Sequence, residues 1–155
     1  MSEEYGIRWL VFVRVEDRSG ALTALAGVFS ERGVSFESLN TLEVNAGSGL
    51  MSIAFVSSEG LARVLVRTLS RLAVVRRLRL ERADDPFVRA VAVVDAAADV
   101  PLDAAVVQAW GSAVLVAGSL AEVERAVAQA RRAGAPRVSL MVLPPATSRP
   151  PVSER

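Results

Sequence analysis

A short polar turn, Asp17-Arg18-Ser19-Gly20, comes directly before a predicted helix and combines residue types that bind charged groups. The first N–H groups of a helix have no partner within it, and together with the helix dipole they favour a carboxylate or a phosphate. Gly20 lacks a side chain, so a ligand or another backbone segment can approach closely. Asp17 and Ser19 also have a simpler interpretation, as ordinary turn and N-cap residues. The turn alone leaves both interpretations open.

Several residue types that carry enzyme chemistry are absent. The chain has no His, no Cys and no Lys, so that all 18 basic residues are Arg. This composition excludes disulfides, Cys/His zinc sites, a Lys Schiff base, a P-loop lysine and a Ser-His or Cys-His nucleophile pair. A general base would have to be Asp or Glu. We therefore expect no catalytic residue, no metal site and no cofactor.

Two further groups of charged residues have weaker interpretations. Four arginines share one predicted strand: Arg76, Arg77, Arg79 and Arg82. They would suit an acidic partner or RNA, but a solvated edge strand is the favoured interpretation. Three aspartates lack the spacing of an EF-hand loop: Asp95, Asp99 and Asp103. A formal net charge of +1 gives no general attraction to nucleic acid.

The overall composition predicts an ordered protein with a sizeable core. Its 155 residues are 52% hydrophobic and 23% charged, which suits one domain or two small ones. No apolar run reaches the roughly 18 residues that span a bilayer. The acidic N-terminus, MSEEYGIR, lacks the features of a signal peptide. We expect a cytoplasmic protein without membrane contact.

The first half predicts four strands and two helices in the order β-α-β-β-α-β. The predicted strands are 8–16, 35–44, 50–56 and 74–82, and the predicted first helix is 21–32. Ser19 is its predicted N-cap and Gly33 its left-handed C′ residue. Residues 45–49 predict a hairpin longer than the tight two-residue turn. A second helix follows the third strand, and Ser57 or Ser58 is its predicted N-cap. One face of each helix carries the apolar residues: Leu22, Leu25, Ala26, Val28 and Phe29 in the first, and Leu61, Val64, Leu65, Thr68, Leu69 and Leu72 in the second. The order predicts an α+β, ferredoxin-like unit, with both helices on one face of an antiparallel sheet.

The second half predicts a smaller α+β unit. Strands are predicted over 87–94, 113–117 and 138–143, and residues 101–110 as a loop or short helix. Ser119 caps a predicted helix over 120–132 that Gly134 ends. This content is similar to a ferredoxin-like unit that lacks one strand. Residues 83–86 are the predicted linker, and residues 146–155 a disordered tail.

The segment VEDRSGALTALAGVFSERGVSFESLNTL resembles the start of an ACT domain, and more narrowly that of the acetolactate synthase small (regulatory) subunit. The matching residues follow the family's order along the chain: Glu16, Asp17, Gly20, Leu22, Phe29, Ser30, Arg32, Gly33, Phe36, Glu37, Ser38 and Leu39. The resemblance continues through Met51-Ser52-Ile53 and covers an ACT domain over about residues 7–82. A diverged ACT-like repeat is one interpretation of residues 87–145.

The resemblance implies allosteric regulation in branched-chain amino acid biosynthesis. ACT domains of this kind pair side by side and bind a small amino acid at the dimer interface, here between two sets of residues: Asp17, Gly20, Ala21 and Leu22 from one chain, and Ser35 and Phe36 from its partner. The N–H groups of the first set suit a carboxylate, and Asp17 suits an ammonium group. The family's usual Asn is replaced by Asp17 in the turn and by Ser35 on the second strand, so the identity of the effector stays open.

Three functional hypotheses remain. The preferred one is a non-catalytic regulatory protein that forms a homodimer or higher oligomer, binds an amino acid and acts on a catalytic enzyme subunit. The second is a structural or assembly module that uses its sheet for oligomerisation and binds no ligand. The third is an enzyme that relies on Asp/Glu chemistry, which the absent residue types disfavour.

Overall fold

The structure is a computed structural model of the chain and describes residues 6–16, 19–95, 102, 104 and 106–145. The chain divides into two compact units, Met1–Ala83 and Asp84–Arg155. The first contains β1 (Ile7–Glu16), α1 (Ala21–Glu31), β2 (Phe36–Asn45), β3 (Ser48–Ser57), α2 (Glu59–Ser70) and β4 (Val75–Arg82). The second contains β5 (Arg89–Val94), β6 (Val106–Trp110), β7 (Ala113–Ser119), α3 (Leu120–Arg132) and β8 (Val138–Leu143).

The first unit has the predicted ferredoxin-like fold. Its strands form one antiparallel sheet in the order β2-β3-β1-β4, in which β1 is central and β2 and β4 are the outer strands. Alternate residues of β1 and β3 meet both helices in a single core, which includes Val11, Val13 and Ile53 from the sheet, Leu25 and Phe29 from α1, and Leu65 and Leu69 from α2. Both helices therefore cover the same sheet face.

The two ends of α1 differ in how well the sequence predicts them. The N-cap is Gly20 rather than Ser19, and no side chain of the described residues caps it. At the other end, the N–H of Gly33 donates to Ser30 O (3.1 Å) and that of Val34 to Phe29 O (3.0 Å). This pair of bonds is a Schellman motif, and Gly33 adopts the left-handed conformation that the motif requires, with φ 64°. The predicted role of Gly33 is confirmed, and that of Ser19 is wrong.

The connection between β2 and β3 is tighter than predicted. The strands pair up to Asn45 and Ser48, so that only Ala46 and Gly47 form the loop. Both loop residues have positive φ angles, 48° and 74°, as a two-residue hairpin turn of the primed type requires. The prediction of a longer turn over 45–49 is wrong because Ala46 accepts a conformation that is usually given to Asn or Gly.

The second unit repeats the strand order of the first. Its four antiparallel strands lie in the order β6-β7-β5-β8, and α3 packs on β5 and β7. Two predictions are corrected here: residues 106–110 are a strand, not a loop or short helix, and the unit has four strands rather than lacking one. Among the described residues, no helix connects β5 to β6, where α1 stands in the first unit. The predicted tail, 146–155, lies outside the described residues.

Candidate functional site

The start of α1 places three of the predicted site residues in one turn: Gly20, Ala21 and Leu22. Gly20 is exposed, with φ 86° and ψ −7°, and a Cβ atom at this position would meet no atom within 4 Å. Ala21 is buried, whereas Leu22 is 50% exposed. The prediction that Leu22 is buried with the apolar face is wrong: it lies within about 20° of the buried Phe29 around the helix, but it stands in the first turn of α1 and is exposed there. Asp17, the fourth residue of this set, lies outside the described residues.

Among the described residues, no side chain caps the start of α1, whereas serine side chains cap the starts of α2 and α3. Ser58 Oγ accepts the N–H of Leu61 (3.3 Å) at the start of α2. At α3, Ser119 and Glu122 form a reciprocal capping box. The carboxylate of Glu122 accepts hydrogen bonds from the backbone N–H and the hydroxyl of Ser119. These bonds, the backbone one most of all, hold the pKa of Glu122 below its usual value. No acidic residue lies in the first turn of α1, and no described side chain caps it. Its first N–H groups are therefore suited to an external anion.

The end of α1 carries the other two predicted site residues, Ser35 and Phe36. Both line an open groove of about 440 Å³, together with five residues that the sequence analysis did not assign to the site: Ala26, Phe29, Ser30, Gly33 and Val34. Phe36 is 41% exposed, and its ring meets that of Phe29 edge to face at 6.0 Å. The groove thus has aromatic and small apolar walls and two hydroxyl groups.

These two halves of the predicted site lie at opposite ends of the sheet within one chain. Gly20 follows the end of β1, where Glu16 pairs with Ser48. Phe36 instead pairs with Phe55, which pairs with Trp9 near the start of β1. The helix between them has 11 residues and is therefore about 16 Å long. The fold brings together Gly20, Ala21 and Leu22, and separately Ser35 and Phe36, but it does not join the two sets.

The five additional groove residues have a partial signal in the sequence. Ala26, Phe29, Ser30 and Gly33 follow the spacing i, i+3, i+4, i+7, which places them along one face of α1 and its end. Ala26 and Phe29 were predicted to belong to the core, and Gly33 to the helix end. The spacing identifies the face, but only the position of β2 beside it creates the groove.

The arginines of β4 occupy an outer strand, as the favoured interpretation predicted. Arg77 and Arg79 are exposed, and Arg79 forms an ion pair with Glu81. The guanidinium of Arg82 lies 6.0 Å from the centre of the Trp9 ring, a cation–π distance. Of the three predicted aspartates, Asp95 pairs with Arg137 (2.8 Å), and Asp99 and Asp103 lie outside the described residues.

Two further features are absent from the described part of the chain. No group of three or more His, Cys, Asp or Glu side chains there is placed to hold a metal ion. Within the same residues, no helix has both the length and the apolar character that crossing a membrane requires.

Comparison with known proteins gave matches among solved structures only. No protein-family model and no curated protein sequence matches the chain. The acetolactate synthase small subunit from Thermotoga maritima matches with a TM-score of 0.65 and 15% identity, over 88% of this chain and 96% of that chain. The regulatory subunit of aspartate kinase from Thermus thermophilus matches more weakly, with a TM-score of 0.48 and 14% identity over 84% and 95% of the two chains. The predicted resemblance to the acetolactate synthase small subunit is thus confirmed at the level of the fold.

Proposed function

We propose that this chain is a non-catalytic regulatory protein: two copies pair along β2, a small amino acid binds between them, and the complex regulates an enzyme of amino-acid biosynthesis. The observation that carries the proposal is the separation of the two predicted half-sites at opposite ends of α1 and β2. The similar fold of an acetolactate synthase small subunit supports the regulatory role and suggests a catalytic subunit as partner. The cytoplasmic location expected from the sequence stays a prediction.

The outer edge of β2 is suited to pairing with a second copy. No described strand pairs with this edge, and two of its large apolar residues are exposed, Phe36 by 41% and Val44 by 61%. Both lie on the helix-covered face: Phe36 pairs with the core residue Phe55, and Val44 pairs with Gly49, whose partner on β1 is the core residue Val15. Exposed apolar edge strands favour pairing with another chain.

A two-fold axis beside Asn40 would bury these apolar residues. Asn40 lies four residues from Phe36 and four from Val44. In an antiparallel pair centred on Asn40, Phe36 of each copy therefore lies opposite Val44 of the other. Residues that lie directly opposite across an antiparallel pair share a face, so the two side chains contact each other. The interface is isologous, as expected for a symmetric dimer.

The same two-fold axis would complete the ligand site. Antiparallel pairing places the end of β2 in one copy beside the start of β2 in the other. Because the start of α1 lies at the end of the sheet where β2 ends, Gly20 of one copy then lies near the groove of the other. An amino acid between them would place its carboxylate on the uncapped N–H groups of α1 and its side chain in the groove. Asp17 supplies the charge for the ammonium group.

A ligand held by both copies couples binding to assembly. It binds the paired arrangement better than any other, so it shifts the population toward that arrangement. A partner enzyme that recognises the paired form then responds to the amino acid, and by linkage the enzyme raises the affinity for the amino acid equally.

The alternative is an assembly module that binds no ligand. The exposed apolar edge of β2 favours it, because Phe36 and Val44 would drive pairing even without an amino acid. The two functions differ in one observable: only the regulatory protein is stabilised by an amino acid.

The test is a thermal-shift screen of the full chain against the twenty amino acids. A ligand at 100 times its dissociation constant should stabilise the protein by about 2.7 kcal/mol. We expect a rise in melting temperature with one or a few amino acids and its loss in Asp17→Ala. Glu31→Ala, which removes an exposed carboxylate at the other end of α1, is the control and should retain the shift. If no amino acid raises the melting temperature, the regulatory proposal is wrong and the assembly module is favoured.

A further inference from the structure

We infer that the groove at the end of α1 selects an amino acid with an uncharged aromatic side chain, and that Phe36 is the residue that sets this preference. The inference rests on the proposed function, since it names the class of effector for the same site. It depends on the lining of the groove, the arrangement of three phenylalanine rings and the exposure of Phe36.

The lining excludes charged side chains. None of the seven lining residues carries a charge, and the polar groups among their side chains are the hydroxyls of Ser30 and Ser35. A charged side chain that leaves water requires an opposite charge or several hydrogen bonds. The groove offers no opposite charge, so the side chains of Lys, Arg, Asp and Glu are disfavoured there. Its volume of about 440 Å³ lies within the usual range for ligand pockets, about 300–1,000 Å³, and leaves room for a large side chain.

The ring arrangement favours an aromatic group over an aliphatic one. Phe29 meets Phe55 edge to face, with centroids 5.2 Å apart and an interplanar angle of 71°, and meets Phe36 at 6.0 Å and 82°. Phe55 and Phe29 are buried, so Phe36 is the end of the series that is accessible in a single copy. In the proposed pair its ring lies between Val44 of the second copy and the groove. A ligand ring can continue the series, because rings attract one another edge to face beyond the area that they bury. Aliphatic side chains gain only the burial.

The experiment compares three amino acids on the full chain. L-phenylalanine, L-valine and L-lysine are titrated into the wild type, Phe36→Leu and Phe87→Leu, with melting temperature and calorimetry as readouts. Phe36→Leu keeps apolar bulk but removes the ring. Phe87→Leu is the matched control, because Phe87 is similarly exposed, at 49%, and does not line the groove.

We expect the wild type and Phe87→Leu to bind L-phenylalanine most tightly and L-lysine least. Phe36→Leu should weaken L-phenylalanine by about two- to tenfold and leave L-valine nearly unchanged. Its melting temperature without ligand should fall slightly, because the edge-to-face contact with Phe29 is lost, so the affinities are compared by calorimetry. Tighter binding of L-valine or L-lysine by the wild type, or an equal loss in both variants, would overturn the aromatic preference and leave the proposed function intact. No binding of any of the three would overturn the aromatic preference, whereas the proposed function is overturned only if none of the twenty amino acids stabilises the wild type.

Discussion

Gly20 and Gly27 both belong to the α1 region, but they impose opposite demands on a side chain. A Cβ atom at either position would meet no atom within 4 Å, but only Gly20 has a positive φ, of 86°. Gly20→Ala should therefore lower the free energy of unfolding by about 1–2 kcal/mol, because an L residue is strained in the left-handed region. Gly27→Ala should raise it by about 0.5–1 kcal/mol, because Gly is unfavourable inside a helix. Urea unfolding of both variants measures the two signs, and equal effects would contradict this account of Gly20.

Individual site residues could be predicted only in part. Gly20 and Ala21 were assigned correctly to the start of a helix, because the polar turn and the apolar periodicity after it are local signals. Leu22 was predicted to be buried but is exposed, since periodicity gives the angle of a residue around the helix and not how far the core extends along it. The groove beside Phe36 could not be predicted, because it depends on the contact of α1 with β2. Whether Ser35 and Phe36 bind a ligand stays a prediction.

The edge of β2 gives a prediction at the level of the secondary-structure element. Val44→Glu should abolish pairing, because it places a charge opposite Phe36 of the second copy in the proposed interface. Sedimentation velocity of the full chain would then report a monomer where the wild type reports a dimer. Val107→Glu is the matched control, since Val107 is another exposed valine of an outer strand, β6. If Val107→Glu dissociates the dimer and Val44→Glu does not, the proposed interface is wrong.

Helices were predicted more accurately than short strands and turns. The bounds of α3 were predicted at both ends, because Ser119 and Gly134 are local signals for capping and termination. The strand β6 was missed because it follows an Ala-rich segment with Pro101 and has little alternation of polar and apolar residues. It forms a hairpin with β7, in which Trp110 pairs with Ala113 across a two-residue loop, and the periodicity within one strand does not contain this pairing between strands.

At the scale of the whole molecule, the order of elements was enough to predict the fold of the first unit. A β-α-β-β-α-β order with short connections leaves few antiparallel arrangements, and the observed strand order is one of them. The second unit has the same strand order, although its described residues contain no counterpart of α1. Three predicted strands were too few to specify this sheet.

The central claim is that each ligand site is shared between two copies of the chain, and a mixed-dimer titration tests it most directly. Gly20→Asp adds a negative charge at the proposed carboxylate site, and Ser30→Trp fills the groove from α1 without changing β2, so each homodimer should lose binding. In a mixed dimer, one of the two sites contains neither substitution. Random exchange of equal amounts should therefore restore about one quarter of the wild-type capacity, measured by isothermal titration calorimetry with the amino acid that stabilises the wild type. If exchange restores no binding, the site is not shared between copies and the account is contradicted.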